Sequence, residues 1–347
     1  MSTPKDMRAV VQTAALPVSD DLSLVDSTIE TPTPGAHDLL VEVRAVSVNP
    51  VDVKLRGGTE PNGGPRVLGF DASGVVVAVG DAVTRFATGD EVFYAGAIDR
   101  HGSDAQFQVV DERLVGPKPV SLDHAEAAAL PLTALTAWES LFDKLRIDRE
   151  ATGVLLVVGG AGGVGSVAIQ LARVLLPGVT IVATASRPES ASWVTDLGAH
   201  TVIDHRHDLV SQVRGVAPGG VDWILSTNSR GRVQDFVAVS RPFGQVVAID
   251  DPESVDVTPL KSKALSWHWE FMFARSLHRA ADLERQHDIL TEIARLVDAG
   301  DLRTTATTIL HPIDAATLRE AHALVEAGRV IGKVVVSDEM PSATTGR

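Results

Sequence analysis

Residues 155–170 read LLVVGGAGGVGSVAIQ. Four apolar residues run straight into five glycines spread over residues 159–165, and an apolar-periodic segment follows. Gly160, Gly162 and Gly165 stand in the spacing G-x-G-x-x-G. Alone, that spacing is a weak signal. Between a strand pattern and a helix pattern it has a physical reason. The first glycine allows a tight turn, the second lets backbone approach a pyrophosphate, and the third lets helix pack closely on strand. N–H groups at the helix N-terminus and the helix dipole then attract the anion. The expectation is a dinucleotide whose phosphates lie against Gly160, Gly162, Gly163, Val164 and Gly165.

Which dinucleotide is decided further along. An NAD site places Asp or Glu at the end of the second strand, about 20 residues beyond the glycines, to bind the ribose 2′-OH. Here that stretch is Thr184-Ala-Ser-Arg-Pro188, and the first acid is Glu189, past the proline. Ser186 and Arg187 stand where the carboxylate would be. A hydroxyl and a guanidinium suit a 2′-phosphate, which a carboxylate would repel. The expected cofactor is NADPH rather than NADH.

Other chemistries are narrowed by composition. Cysteine is absent, so disulfides, a Cys nucleophile and thiolate metal ligands are excluded. Of eleven histidines, His205-Arg-His207 and the group Trp267-His268-Trp-Glu270 invite a metal reading. Neither has a recognised ligand spacing such as H-E-x-x-H, so no metal site is expected. Trp267, Trp269, Phe271 and Phe273 gather in a chain with 4% aromatic residues. They read either as the wall of a substrate pocket or as a core or dimer contact.

The net charge of −14 argues against nucleic acid as a partner, because phosphate contacts need clustered Lys and Arg. A small phosphorylated cofactor needs only one local cationic pocket. No apolar run reaches the roughly 18–20 residues of a membrane span. The N-terminus, MSTPKDMRAVVQTAALP, lacks a long apolar h-region. The expectation is a cytoplasmic protein with no membrane partner.

The elements that position these residues can be read from periodicity. The chain has 347 residues, 44% of them hydrophobic, enough for two domains. Up to about residue 120 it is β-rich: residues 39–48, LLVEVRAVSV, alternate after the turn cluster Thr31-Pro-Thr-Pro-Gly35. Short strands separated by Gly and Pro suggest an irregular barrel. Residues 123–130 are helical by propensity until Pro131, and 136–145 can form another helix. Then strands at 154–158, 180–184, 201–203, 221–226 and 245–249 alternate with helices at about 163–176, 188–197, 208–214 and 232–240. That alternation implies an α/β fold with a parallel sheet covered on both faces. An amphipathic helix at about 281–299, a short one at 314–327 and a closing strand at 332–336 follow. Ser226 and Thr227 end the fourth strand, where ligands of such sheets gather.

Taken together, several segments resemble the medium-chain dehydrogenase/reductase superfamily, and within it the zinc-independent quinone oxidoreductase branch. Asn49-Pro-Val-Asp52, followed by Arg56-Gly57, is similar to that branch's N-P-x-D…R-x-G segment. Residues 68–76, LGFDASGVV, resemble its G-x-D-x-x-G-x-V strand, and 80–92 match G-x-x-V-x-x-F-x-x-G-D-x-V. Residues 129–138 and 331–336 resemble the lead into its nucleotide-binding half and its closing strand. The order and spacing hold along nearly the whole chain.

The resemblance implies a GroES-like β-barrel catalytic domain at 1–125, completed by 305–347. A Rossmann domain with a doubly wound parallel sheet fills 126–304. It implies a homodimer, with 250–275 as the candidate contact. It implies hydride transfer from NADPH to a small electrophile, a quinone or an α,β-unsaturated carbonyl. Thr136 matches a threonine near the nicotinamide, and His205 stands where an aromatic residue often lies beside the adenosine. Zinc alcohol dehydrogenases share the fold, but where they carry an early Cys and a Gly-His-Glu segment this chain has Asn49 and Gly69-Phe70-Asp71. Related enoyl reductases often carry a Tyr where this chain has Lys54. Lys54 is thus a candidate to stabilise the oxyanion, Asn49 to hydrogen-bond the carbonyl, and Asp52 to orient Lys54 or Arg56. In the plainer alternative Asn49 and Asp52 hold a turn and Lys54 faces solvent. A zinc-type alcohol dehydrogenase and a non-enzymatic NADPH-binding protein remain the competing functions.

Overall fold

The computed structural model describes residues 3–61 and 64–339. Its strands are β1 (Asp6–Gln12), β2 (Val25–Glu30), β3 (Asp38–Val48), β4 (Arg66–Val67), β5 (Asp71–Val79), β6 (Glu91–Tyr94), β7 (Phe107–Asp111) and β8 (Val115–Pro117). Then come β9 (Gly153–Val158), β10 (Val179–Thr184), β11 (Thr201–Ile203), β12 (Val221–Ser226), β13 (Ser240–Ala248), β14 (Ser266–Trp269), β15 (Ala306–Leu310) and β16 (Lys333–Ser337). Packing divides the chain into two units, one joining everything up to Leu132 with everything from Phe273, the other running Thr133–Met272.

The first unit contains a three-stranded sheet, β2-β1-β4, and a seven-stranded sheet, β15-β16-β3-β5-β6-β8 with β7 also on β3. The alternation of β3 explains how one strand serves several cores. Leu39, Val41 and Val43 enter one apolar cluster with Val92 and Leu318, while Leu40 faces another with Met7, Val11 and Phe107. Side chains two apart share a face. The phase then slips, and Val46 and Val48 rejoin the first cluster. The pairing of β3 with β5 shifts register between Val43 and Ala45, and such a bulge moves the following residues to the opposite face.

The second unit is a six-stranded sheet in the order β11-β10-β9-β12-β13-β14, every pair parallel. Leu155, Leu156, Val157 and Val158 of β9 are all buried, the continuous apolar run of a strand covered on both faces. The order reverses at β9 and β12, and the carboxyl ends there form the topological switch point where such sheets bind ligands. The expected α/β fold is therefore present.

Several boundaries differ from expectation. The sequence division at 125/126 and 304/305 shifts, because 126–132 and 273–304 pack with the first unit. The helix Arg285–Asp298 is the reason: Ile289, Leu290, Ile293, Leu296 and Val297 form its buried stripe. That stripe lies so close to β8 that a Cβ on Gly116 would sit 2.5 Å from the Leu290 Cβ. Residues 124–128 form a short helix capped by Asp123, whose carboxylate accepts the Glu126 N–H at 2.8 Å. Pro131 opens the next helix, Pro131–Trp138, rather than merely ending the last; a π-helical turn, Glu139–Lys144, continues it. Proline at a first helical position loses no bond, since that N–H has no intrahelical acceptor. Among the elements that the sequence reading did not name are the helix Pro50–Gly58 and strand β14. Among the described residues no helix is long and apolar enough to cross a membrane.

On the helix Ala315–Glu326, His322 is fully buried and neither ring nitrogen has a hydrogen-bond partner among the described residues. Burial, helped by the nearby Arg56 cation, pushes its pKa down to about 3 from 6.5. An unfolded chain therefore binds a proton that the native state refuses, and stability is lost as pH falls from about 6.5 towards 3. His322→Leu removes this term. Its Tm is expected to fall less than wild type between pH 7 and pH 4.5 in paired thermal melts; parallel curves would remove His322 as a source of acid sensitivity.

Candidate functional site

In the second unit β9 ends at Val158, and Gly159 turns the chain with φ 82°, in the left-handed region. The turn is pinned to β10: the Gly159 N–H donates to Thr184 Oγ1 at 2.9 Å and the Gly160 N–H to the Thr184 carbonyl at 3.1 Å. The helix Gly163–Leu175 then starts with Gly162 as an N-cap that offers no side chain. Its first N–H groups, at Gly163, Val164 and Gly165, have no acceptor within the helix.

The glycines divide by what a Cβ would meet. At Gly165 it would lie 2.4 Å from the Gly159 carbonyl oxygen and 2.7 Å from the Gly160 Cα, so backbone passes backbone there. At Gly160 it would press on the Ala183 Cβ at 3.0 Å. At Gly162 nothing but the Gly159 carbonyl oxygen, at 3.7 Å, is within reach. Packing therefore accounts for Gly165 and Gly160 but leaves Gly162 open, as a backbone that must meet a phosphate requires. The cradle fits a dinucleotide pyrophosphate.

The other expected cofactor residues lie in the same unit. Ser186 and Arg187 are half-buried just beyond β10, and Arg187 caps the helix Pro188–Asp196. Ser226, buried, and Thr227 end β12 beside the switch point. Ser226 Oγ accepts the Asn228 N–H at 3.3 Å, and the Asp250 carboxylate beyond β13 accepts the Ser229 N–H at 2.7 Å. His205 is half-buried after β11, and burial lowers its pKa. Thr136 is buried on the helix Pro131–Trp138. The aromatic group separates. Trp267 and Trp269 meet edge to face on β14, with centroids 5.6 Å apart, whereas Phe273 pairs with Phe70 in the first unit at 4.7 Å.

The first unit holds a buried polar cluster. Asn49 precedes the helix Pro50–Gly58, and its N–H donates to Asp52 Oδ2 at 2.7 Å. Asn before Pro, with an acid three residues on, is a helix-start signal, where the plainer alternative from the sequence was a turn. The Asn49 amide is fully engaged. Nδ2 donates to Asp71 Oδ2 at 2.8 Å and to the Ser47 carbonyl at 3.3 Å, and Oδ1 accepts from Lys333 Nζ at 2.6 Å. With 1% of its surface exposed, Asn49 has no hydrogen left for a substrate carbonyl. Asp52 is equally buried, and Arg56 pairs with Glu326 at 3.0 Å. Lys54 is exposed on the same helix.

Sequence reasoning missed Lys333. Its buried ammonium also donates to the Val48 carbonyl at 2.8 Å and lies 3.3 Å from Asp71 Oδ2. Asp71 accepts besides from Ser47 Oγ at 3.0 Å and from the Leu132 N–H at 2.7 Å. A lysine at the head of an apolar strand, in Gly332-Lys-Val-Val-Val336, was the available signal, since a buried lysine needs a partner.

Burial also governs the acids. Desolvation raises the Asp52 pKa to about 7; the Asn49 N–H and the Lys333 cation oppose it, and the Asp71 charge adds to it. Asp52 Oδ1 is buried with no hydrogen-bond partner among the described residues. Asp104, also buried, is raised well above its ordinary value by burial and then by Asp52. Among the described residues no three His, Cys, Asp or Glu gather to hold an ion, Phe70 fills the place of the histidine, and Asp71 is committed to a lysine. The donor set does not fit catalytic zinc, which takes three protein ligands.

Two predictions follow from these geometries. Gly162→Ala is expected to keep the wild-type Tm and weaken dinucleotide binding at least ~10-fold, whereas Gly165→Ala is expected to lower the Tm as well. Equal loss of Tm in both, read by thermal melts beside fluorescence titration, would contradict the division of roles. For Asp52, the native state holds a proton that the unfolded chain releases above about 3.8, so its contribution to stability is lost as pH rises towards about 7. Asp52→Asn keeps an acceptor for the Asn49 N–H and lacks the titration. The Tm of the variant relative to wild type should therefore increase from pH 4 to pH 8; a constant difference would mean that Asp52 is ionised throughout.

The family model of an alcohol dehydrogenase GroES-like domain matches residues 35–120, and that of a zinc-binding dehydrogenase matches 197–336. A zinc-type alcohol dehydrogenase-like protein of Staphylococcus aureus is 40% identical over 313 residues, covering 88% of this chain and 92% of that protein. A chloroplastic NADPH-dependent alkenal/one oxidoreductase of Arabidopsis thaliana is 32% identical, over 96% of this chain and 80% of its own length. The crystal structure of a putative zinc-dependent alcohol dehydrogenase protein from Rhizobium etli superposes with a TM-score of 0.94 at 48% identity, covering 96% of this chain and 99% of that one. With its nucleotide-binding glycine loop and its barrel unit, this chain belongs to the medium-chain dehydrogenase/reductase superfamily and is an oxidoreductase of that family.

Proposed function

We propose that this protein is an NADPH-dependent reductase that passes hydride, without zinc, to quinones or α,β-unsaturated carbonyls. The observation that carries the reading is the end of β10, where Ser186 and Arg187 replace the carboxylate expected for NADH. The bound cofactor supplies the hydride; the protein supplies orientation and electrostatics. Gly160, Gly162, Gly163, Val164 and Gly165 receive the pyrophosphate, Ser186 and Arg187 the 2′-phosphate, and His205 the adenosine side. Thr136, Ser226 and Thr227 face the nicotinamide side. Reduction leaves an enolate or phenolate oxygen on the acceptor. That charge needs a cation or donor, and Lys54 is the residue we assign to it, with Asn49 and Asp52 building the helix that carries it. The assembly in this reading is a homodimer formed through β14, the end strand of the parallel sheet.

The test is titration of NADPH and NADH against intrinsic tryptophan fluorescence at equal ionic strength. NADPH is expected to bind at least ~10-fold tighter, a difference of ~1.4 kcal/mol, and Arg187→Ala should bring the two affinities together. Turnover of a benzoquinone or an enone with NADPH completes the reading. An unchanged preference in the variant removes Arg187 from the phosphate site. Tight NADPH binding without reduction of either acceptor points to a nucleotide-binding protein that is no enzyme.

A further inference from the structure

Lys333 is absent from every role assigned above, yet it is buried at the head of β16. Its ammonium is held by the Val48 carbonyl at 2.8 Å, Asn49 Oδ1 at 2.6 Å and Asp71 Oδ2 at 3.3 Å. Three donors meet three oxygens, which is the full capacity of the group. Each acceptor leads elsewhere. Val48 and Asn49 lie at the junction of β3 with the helix Pro50–Gly58, on which Lys54 stands. Asp71 opens β5, and its other oxygen accepts the Leu132 N–H at 2.7 Å.

Leu132 is the second residue of the helix Pro131–Trp138. An N–H there has no acceptor inside its own helix, so Asp71 supplies one. Thr136 lies four residues on, above Leu132 on the same helical face. The direction in which Asp71 points therefore bears on where Thr136 sits. Asp71 Oδ2 is in turn fixed by the Lys333 cation, Asn49 Nδ2 and Ser47 Oγ.

We propose that Lys333 is a positioning residue for the reduction: through Asp71 it fixes the first turn of the helix that bears Thr136, and through Asn49 it fixes the start of the helix that bears Lys54. The assignment rests on the proposed reading of Thr136 and Lys54. It involves no contact of Lys333 with substrate or cofactor.

The experiment uses the full chain with Lys333→Met and with the uncharged pair Lys333→Met/Asp71→Asn. The pair avoids a lone buried carboxylate, so it remains informative if the single variant does not fold. Methionine has no donor for Asn49 or Val48. Four quantities are read: Tm, affinity for 2′,5′-ADP, fluorescence emission of bound NADPH, and kcat and KM for a benzoquinone. In the pair, Tm is expected to fall, while 2′,5′-ADP affinity stays within about twofold of wild type, KM is little changed, kcat is at least ~10-fold lower and the bound NADPH emission is shifted. Wild-type kcat in the pair overturns the proposal and leaves Lys333 as a counter-ion alone. Equal losses in kcat and 2′,5′-ADP affinity overturn it too, because they report general damage. If wild type reduces no acceptor, the proposed function fails by itself. The NADPH emission then decides the positioning role, and an unshifted emission in both variants rejects it.

Discussion

A lysine ammonium removed from water must be surrounded by oxygen atoms, and the barrel unit is arranged around that requirement. Stripping the charge of its hydration costs several kcal/mol, and removing one partner of a buried pair typically costs about 3–5 kcal/mol. Lys333 meets this with one carboxylate and two carbonyl-type oxygens. Those oxygens come from the end of β3, the residue after it and the start of β5. Residues far apart in the chain are thus tied at one point. Apolar burial supplies most of the stability of such a unit, but it is non-directional. The charge cluster is directional, and it sets the entry angle of the helix Pro50–Gly58 and the first turn of Pro131–Trp138.

The nucleotide-binding unit solves a different problem with the absence of side chains. Gly165 and Gly160 are small because backbone and Ala183 crowd them. Gly162 is small although nothing in the protein crowds it. An empty position beside a helix N-terminus has a use only when something else approaches. The overall charge of −14 does not oppose a phosphorylated ligand there, because the field at a bound phosphate is set within about a Debye length, roughly 10 Å at 0.1 M salt. Oriented N–H groups lie within that range, and most of the forty-five acids have no need to.

Much of this was legible in the sequence, for reasons that also explain what was not. Strands 201–203 and 221–226 coincide with expectation because β-branched runs bounded by turn residues leave little choice. The helix at 163–175 follows from the glycine loop and a strong apolar stripe. The helix Pro50–Gly58 was hidden by its composition: Pro50 and two terminal glycines read as a loop, and only the capping pattern of Asn49 and Asp52 marks it. Strand β14 was hidden because Ser266-Trp-His-Trp269 alternates weakly and its partner is β13, over twenty residues back. Residues 273–304 pack with the first unit, which the sequence does not announce because a stripe on a helix does not say which surface it covers. Lys333 was invisible as a site residue, since its partners lie some 260 to 290 positions away and nothing local announces them.

The same cluster bears on chemistry through one missing bond. Asp52 places one oxygen on the Asn49 N–H, and among the described residues the other is buried without a hydrogen-bond partner. An ionised carboxylate in that state pays for desolvation, which the Asn49 N–H and the Lys333 cation oppose without cancelling. The result is a carboxyl that holds its proton up to about pH 7. The chain carries at Phe70 an aromatic hydrocarbon packed on Phe273 and at Asp52 an acid kept neutral. The centre of this unit is thus built on an internal lysine and the oxygens that surround it.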